Sequence, residues 1–285
     1  MKNVEKGEQT MERMDLINVL IERGYKADEK DSVKNGIICK GILIQQGSEN
    51  VATLIYTEKL LEEAEKEGRS IDEVVDEALY IYEKGKKEMC FDVEQFFDRK
   101  WFFEHLSIGL QKESNQELIK RTVEDMPGIE AYLCLKDVGN GKNYEMKMTN
   151  QHLNTVGVPE KDAWEKAQEN LCKDTDILSM EQILSEMLGQ SAGEENDAFG
   201  MYVISNKERC KGASAILNRK AIAEFAKKWG VDRVFVLPSS VHEMILVPDR
   251  GGLELEELNS MVTEVNATQV DPEEQLPNRA YVLEF

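Results

Sequence analysis

Ser239, Ser240, His242 and Glu243 put two hydroxyls, an imidazole and a carboxylate within five residues, the ingredients of nucleophilic attack with a base and an orienting acid. Strand geometry argues against a self-contained triad. Adjacent strand residues point to opposite faces, so Glu243 would not reach the His242 ring. The residues favour a strand connection whose serines bond nearby backbone, and no catalytic residue is assigned beyond these candidates. A second group is cationic. Asn206, Lys207, Arg209 and Lys211 stand in a polar segment closing on Gly212, where side-chain and backbone donors can receive an anion, and they form the candidate binding group. Elsewhere the chemistry is sparse. His105, His152 and His242 are far apart, and there is no G-x-G-x-x-G, phosphate-loop lysine, H-E-x-x-H or G-x-S-x-G motif. The five cysteines are odd in number and never form C-x-x-C, which favours free thiols over a disulfide framework or a zinc site. Neither a metal nor a cofactor is expected.

The elements that must position these groups are clearest after Gly200. Met201–Ile204 and Ala213–Leu217 are apolar runs flanking the polar 206–212 segment, the pattern of a hairpin with a long loop. Asn218 suits a helix N-cap, Ile222, Phe225, Ala226 and Trp229 form one apolar stripe, and Gly230 suits the left-handed stop. Strand-like Val234–Leu237 and Met244–Val247 follow. After them come a helix through Leu255, Leu258, Met261, Val262 and Val265 and a final strand at Tyr281–Leu283. Counted from Ala213 the order is β-α-β-β-α-β, a ferredoxin-like unit with helices on one face and Met201–Ile204 as an added strand.

The earlier half reads as α+β. A helix through Met11–Ile21 precedes a hairpin of Gly36–Gln45 with Val51–Tyr56, and two acidic helices follow, the second with a Ser70/Glu73 capping box. The aromatic stretch from Phe91 is read as helix to about Lys100 and strand to Leu110. A Ser114/Glu117 capping box predicts a short helix ending at Pro127, and Gly139-Asn-Gly141 predicts a hairpin. Helices are expected over 160–171 and 180–188, the second behind a Ser179/Gln182 capping pair. The small, acidic, unpatterned segment 189–198 reads as a linker dividing an N-terminal region (1–188) from a C-terminal unit (199–285).

The net charge of −20 disfavours direct binding to nucleic acid or to an anionic membrane. No apolar run is long enough to span a bilayer and no secretory h-region stands near Met1, so a cytoplasmic location is expected. The charge is uneven. Residues 207–233 hold eight bases against three acids, whereas 58–77 hold nine acids against three bases. A solvated face is the plain alternative to a partner surface for each.

The strings NKERCKGASAIL (206–217), LPSSVHEMILVP (237–248) and VNATQVDPEEQLPNRAYVLEF (265–285) resemble a bacterial family, domain of unknown function family 5688. TLIYTEKLLEEAEKEGRSIDEVV (53–75) and TNQHL (149–153) resemble it too. The resemblance implies a cytoplasmic α+β protein of gut-type Gram-positive bacteria, often encoded among accessory genes of mobile elements. It supplies no activity, cofactor or catalytic residue. The NKER and SSVHE strings belong to the recognisable text, which makes their residues first choices for a site. Asn218-Arg219 departs from the aromatic-proline pair expected of the family, which bears on where the next helix starts.

The expected function is non-enzymatic binding or regulation, with a protein partner at the acidic helices or the basic hairpin. An alternative is a hydrolase or nuclease-like enzyme using Ser239 or Ser240 with His242 and a carboxylate from elsewhere. A third reading is an acidic DNA mimic acting against host defence, which requires carboxylates at phosphate-like spacing along one face.

Overall fold

The computed structural model describes residues 11–47, 53–88, 93–137, 145–189 and 200–285. The chain is mixed α+β and divides into two compact units, 1–90 and 91–285. None of the described helices is long and apolar enough to cross a membrane.

The first unit contains α1 (Arg13–Glu22), β1 (Lys26–Lys34), β2 (Ile37–Gln45), β3 (Thr53–Tyr56), α2 (Glu58–Glu67) and α3 (Ile71–Glu88). The strands form an antiparallel sheet in the order β1-β2-β3, and Leu16, Leu20, Ile42, Ile44, Val74 and Tyr82 pack in one core. The predicted pairing of β2 with β3 is present; most of its connection, 48–52, lies outside the described residues. β1 is an addition. Its sequence KADEKDSVK buries only Ala27, so no apolar alternation announces it. The Asn35-Gly36 turn does, because both residues adopt positive φ (50° and 83°), as a tight twisted hairpin requires. The capping box of α3 forms as expected, with Ser70 N donating to Glu73 Oε2 at 2.8 Å and Glu73 N to Ser70 Oγ at 3.4 Å.

The second unit begins with α4 (Val93–Phe97), α5 (Arg99–His105), β4 (Leu106–Lys112), β5 (Lys120–Thr122), β6 (Ile129–Lys136) and β7 (Glu145–Lys147). The helix expected to end near Lys100 restarts there and runs to His105. Asp98 accepts hydrogen bonds from Lys100 N and Trp101 N at 2.8 and 3.1 Å and caps that second helix. The strands form a four-stranded antiparallel sheet in which β6 pairs with β4 on one side and with β5 and β7 on the other. Alternation sorts β6 by face. Ile129, Ala131, Leu133 and Leu135 enter the core, and Glu130, Tyr132, Cys134 and Lys136 turn the other way. The predicted β6–β7 hairpin is formed, with its Gly139-Asn-Gly141 turn outside the described residues.

There follow α6 (Asn150–Val156), α7 (Glu160–Asp174), β8 (Thr175–Ser179), α8 (Met180–Met187), β9 (Tyr202–Asn206), a 3-10 turn (Ala213–Leu217), α9 (Arg219–Trp229), β10 (Arg233–Pro238), β11 (Met244–Pro248), α10 (Leu255–Gln269) and β12 (Tyr281–Glu284). A five-stranded antiparallel sheet has the order β12-β10-β11-β9-β8. This corrects the ferredoxin-like reading at two points. Ala213–Leu217 is a 3-10 turn and not a strand, so β9 becomes the first strand of the β-α-β-β-α-β series. β12 then pairs with β10 and not with β9, whose free edge is taken by β8.

The strand order places the helices on opposite faces, where one face was expected. The crossovers β9-α9-β10 and β11-α10-β12 step in the same direction across the sheet but start from antiparallel strands. Right-handed connections then put α9 and α10 on opposite sides. The packing agrees. Ile222, Phe225 and Ala226 of α9 share a core with Val234, Val236, Met244 and Leu246, whereas Leu258 and Val262 of α10 pack with Phe235, Leu237 and Val247. A division at 189–198 was expected from composition. Strands flanking that segment pair directly, from Thr175↔Asn206 to Ser179↔Tyr202, while the compact units part at 90/91; residues 190–199 lie outside the described residues.

Candidate functional site

Antiparallel pairing of β9 with β11 (Ile204↔Met244) brings the 207–212 and 239–243 connections side by side. They are interlocked. Gly212 N and Ser205 Oγ both donate to His242 O (2.9 and 2.8 Å), Ala213 N donates to Val241 O at 3.2 Å, and Lys211 N donates to His242 Nδ1 at 3.1 Å. Asn206 ties the base of its own loop, donating to Cys210 O (2.9 Å) and accepting from Cys210 N (3.0 Å). Gly212 is needed here for space. A Cβ would fall on Ser205 Oγ and on the backbone nitrogen of Asn206. Gly212→Ala is therefore expected to destabilise the protein by about 1–3 kcal/mol; a urea midpoint equal to wild type would show that the contact is not tight.

The same bonds define what His242 does. Its Nδ1 accepts from Lys211 N, and Nε2 lies 3.1 Å from Glu274 Oε1, so the neutral ring donates there and both nitrogens are engaged. Ser240 is buried, with its Oγ accepting from His242 N at 3.0 Å and its N–H donating to Glu243 O at 3.2 Å. Ser239 and Glu243 are partly exposed. The structure gathers the four catalytic candidates in one turn, yet their bonds hold the turn's shape.

The binding candidates wall a polar cleft. One lobe, of about 280 Å³, is bounded by Asn206, Cys210, the ammonium groups of Lys136, Lys207 and Lys211, and the carboxylates of Asp137, Glu145, Asp174 and Glu208. A second, of about 320 Å³, shares Lys136, Asp137, Asp174 and Asn206 and adds His105, Ser107, Asn170 and Ser214. Lys207 Nζ donates to Lys173 O at the end of α7 (2.9 Å), and Lys136 Nζ donates to Lys211 O (3.3 Å). Arg209 turns away to pair with Glu186 at 2.6 Å. Asp137, Arg209 and Lys211 all have positive φ (56°, 51° and 48°), strained for residues with a Cβ and found where the surroundings over-determine the backbone. His105 stacks on Trp101 with ring centroids 4.1 Å apart and donates Nδ1–H to Trp101 O at 2.7 Å.

The polar face of the β4–β7 sheet leads into this cleft. Glu130, 4 % exposed, accepts from Gln111 Nε2 (2.6 Å) and Ser114 Oγ (2.8 Å) and pairs with Lys120 Nζ (3.0 Å). The expected Ser114/Glu117 helix is absent because Ser114 is spent on this carboxylate and on Gln111, and the chain enters β5 instead. Gln111 Oε1 accepts from Lys147 Nζ at 2.6 Å, and that ammonium sits 4.5 Å from the centre of the Tyr132 ring. Tyr132 lies over Gly109, its cross-strand partner, where any side chain would collide with the ring. Its hydroxyl donates to Glu145 Oε1 at 2.9 Å.

Burial acts on the titrating groups. It lowers the Lys147 ammonium below the usual lysine range, and it raises the Tyr132 phenol and the Cys134 and Cys210 thiols, in each case as the largest influence. Both cysteines are thus held as thiols, not as the nucleophilic thiolate. No group of three or more His, Cys, Asp or Glu placed to hold a metal ion occurs among the described residues. His105, Lys136, Glu145 and Asp174 were not singled out by sequence. The Ile129–Lys136 alternation carried a signal for Lys136, and the others reach the cleft only through strand and helix ends.

No curated protein and no solved structure matches the chain. A family model does, over residues 9–284, and by that match the chain belongs to the Family of unknown function (DUF5688).

Proposed function

We propose that the protein is a non-enzymatic binding protein whose ligand seat is the polar cleft walled by the 206–212 loop. The observation that carries this reading is the locking of a basic loop with two strained residues against the 239–243 turn, with Lys207 and Lys211 lining the cleft beside Lys136. Such preorganisation lowers the ordering cost of binding. The engaged His242 nitrogens and the protonated thiols favour binding over nucleophilic catalysis. Several acids of α2 and α3 are already paired, Glu67 and Glu77 with Arg69 and Asp72 and Asp76 with Arg23, so the reading places the ligand at the cleft and not on those helices.

The ligand in this reading is a small polar molecule carrying an anionic group. Calorimetric titration of the full chain with carboxylates and phosphates tests it. Lys207→Met and Lys211→Met are each expected to weaken the tightest compound roughly 10-fold or more, the effect of losing a hydrogen bond to a charged group. Affinity unchanged in both variants, or no binding by any compound, would overturn the reading.

A further inference from the structure

One polar atom along the buried face of the β4–β7 sheet lacks a hydrogen-bond donor. The run of contacts passes from Glu130 through Gln111, Lys147 and Tyr132 to Glu145, whose side chain is only 4 % exposed. Glu145 Oε1 is satisfied by Tyr132, but Oε2 is buried with no hydrogen-bond donor. The cation beside it, Lys211 Nζ, stands at 4.0 Å, close enough to offset charge and too far to donate a hydrogen bond. A buried acceptor left unmade is costly and calls for a specific explanation. Glu145 and Lys211 both line the smaller lobe of the cleft, so the open valence belongs to the ligand seat.

We infer that the ligand is an α-amino acid or a close analogue, whose ammonium group donates to Glu145 Oε2 while its carboxylate meets Lys211 and Lys136. The inference rests on the cleft being the ligand seat and adds the ligand's chemical class. Adjacent opposite charges on the protein match a molecule whose ammonium and carboxylate are separated by a single carbon. An anion alone would face Glu145 and the other lining carboxylates, Asp137, Asp174 and Glu208, and a simple amine would face the lysines. The lobe, about 280 Å³, accommodates a molecule of amino-acid size.

The test is calorimetric titration of the full chain with the twenty common L-amino acids, with methylamine and acetate as single-charge controls. At least one amino acid is expected to bind, at least 10-fold more tightly than either control. Glu145→Gln is expected to weaken that amino acid roughly 10- to 100-fold. It should leave the melting temperature of the free protein unchanged or higher, because a neutral amide replaces an underbonded buried carboxylate. A residue with a purely structural role would show the reverse, a lower melting temperature and unchanged affinity, and that result would overturn the assignment. Acetate binding as tightly as any amino acid, weakened by Lys211→Met and indifferent to Glu145→Gln, would overturn the amino-acid inference and leave the cleft reading standing. Binding by none of these compounds would also overturn the inference, and the carboxylate and phosphate titrations would then decide the cleft reading on their own.

Discussion

Glu130→Ala is expected to lower the unfolding free energy by about 3–5 kcal/mol, the cost of breaking a buried ion pair from one side. The loss leaves the Lys120 ammonium, the Gln111 amide and the Ser114 hydroxyl without the carboxylate that gathers them. Urea unfolding measures it, and a loss under about 1 kcal/mol would show that water satisfies these groups as well as Glu130 does. The same carboxylate produces a pH signature. Burial pushes its pKa upward, but the hydrogen bonds from Gln111, Ser114 and Lys120 together outweigh that and hold it below the usual carboxylate range. A depressed folded-state pKa contributes stability that is complete above the unfolded value, near ~4.3, and is lost as pH falls through the lower folded value. The stability difference between wild type and Glu130→Gln should therefore be constant from neutral pH down to the carboxylate range and shrink below it. A difference that grows on acidification would reverse the sign and refute the assignment.

The second large effect is expected at Phe102. Its side chain is fully buried in α5 and meets Phe96 and Phe103 edge-on, with ring centroids 5.6 and 6.1 Å apart. Phe102→Ala removes the ring and leaves a cavity that neighbouring aromatics fill only in part, at a cost of about 3–5 kcal/mol. Because α5 also carries Glu104 and His105 to the cleft, ligand affinity should fall with stability. The variant's urea midpoint, read with its titration curve, checks both. Weakened binding without a change in midpoint would mean that α5 contributes to the cleft in a way its packing does not explain.

Where local rules act alone, the sequence announced the structure. Ser70 with Glu73, Ser179 with Gln182, and Asn218 with Gly230 bound helices α3, α8 and α9 where capping chemistry placed them. Asn218 performs its cap although an aromatic-proline pair was expected there, its side chain accepting from Ala221 N at 3.2 Å. Strands with apolar runs, β10, β11 and β12, were equally legible. The failures have tertiary causes. β1 takes the sheet edge with one buried side chain, Ala27, and with Glu29 and Asp31 paired to Arg13, none of which makes an apolar period, and β8 (TDILS) is too short and too mixed to show one. Ser114 abandons a helix cap for a carboxylate sixteen residues away. Ala213–Leu217 has the composition of a strand but closes as a 3-10 turn against β9, because Gly212 and Ala213 give their N–H groups to the 239–243 turn.

The site was legible to the same extent. Lys207 and Lys211 were marked by their charge within an acidic chain and Asn206 by its place in the same polar segment, and the structure sets all three on the cleft wall. Ser239, Ser240, His242 and Glu243 drew notice by type, but type does not reveal that both His242 nitrogens are committed. Glu145 gave no local signal. Its meaning comes from burial and from a missing donor, which only three-dimensional packing creates.

Backbone amide chemical-shift mapping of the isotopically labelled chain tests the cleft most directly, during titration with the tightest binder found among the amino acids, carboxylates and phosphates. The largest shifts are expected at Lys136, Asp137, Glu145 and the 206–211 loop, with small changes along α2 and α3. Shifts centred on those acidic helices, with the 206–211 loop unmoved, would contradict the cleft as ligand seat.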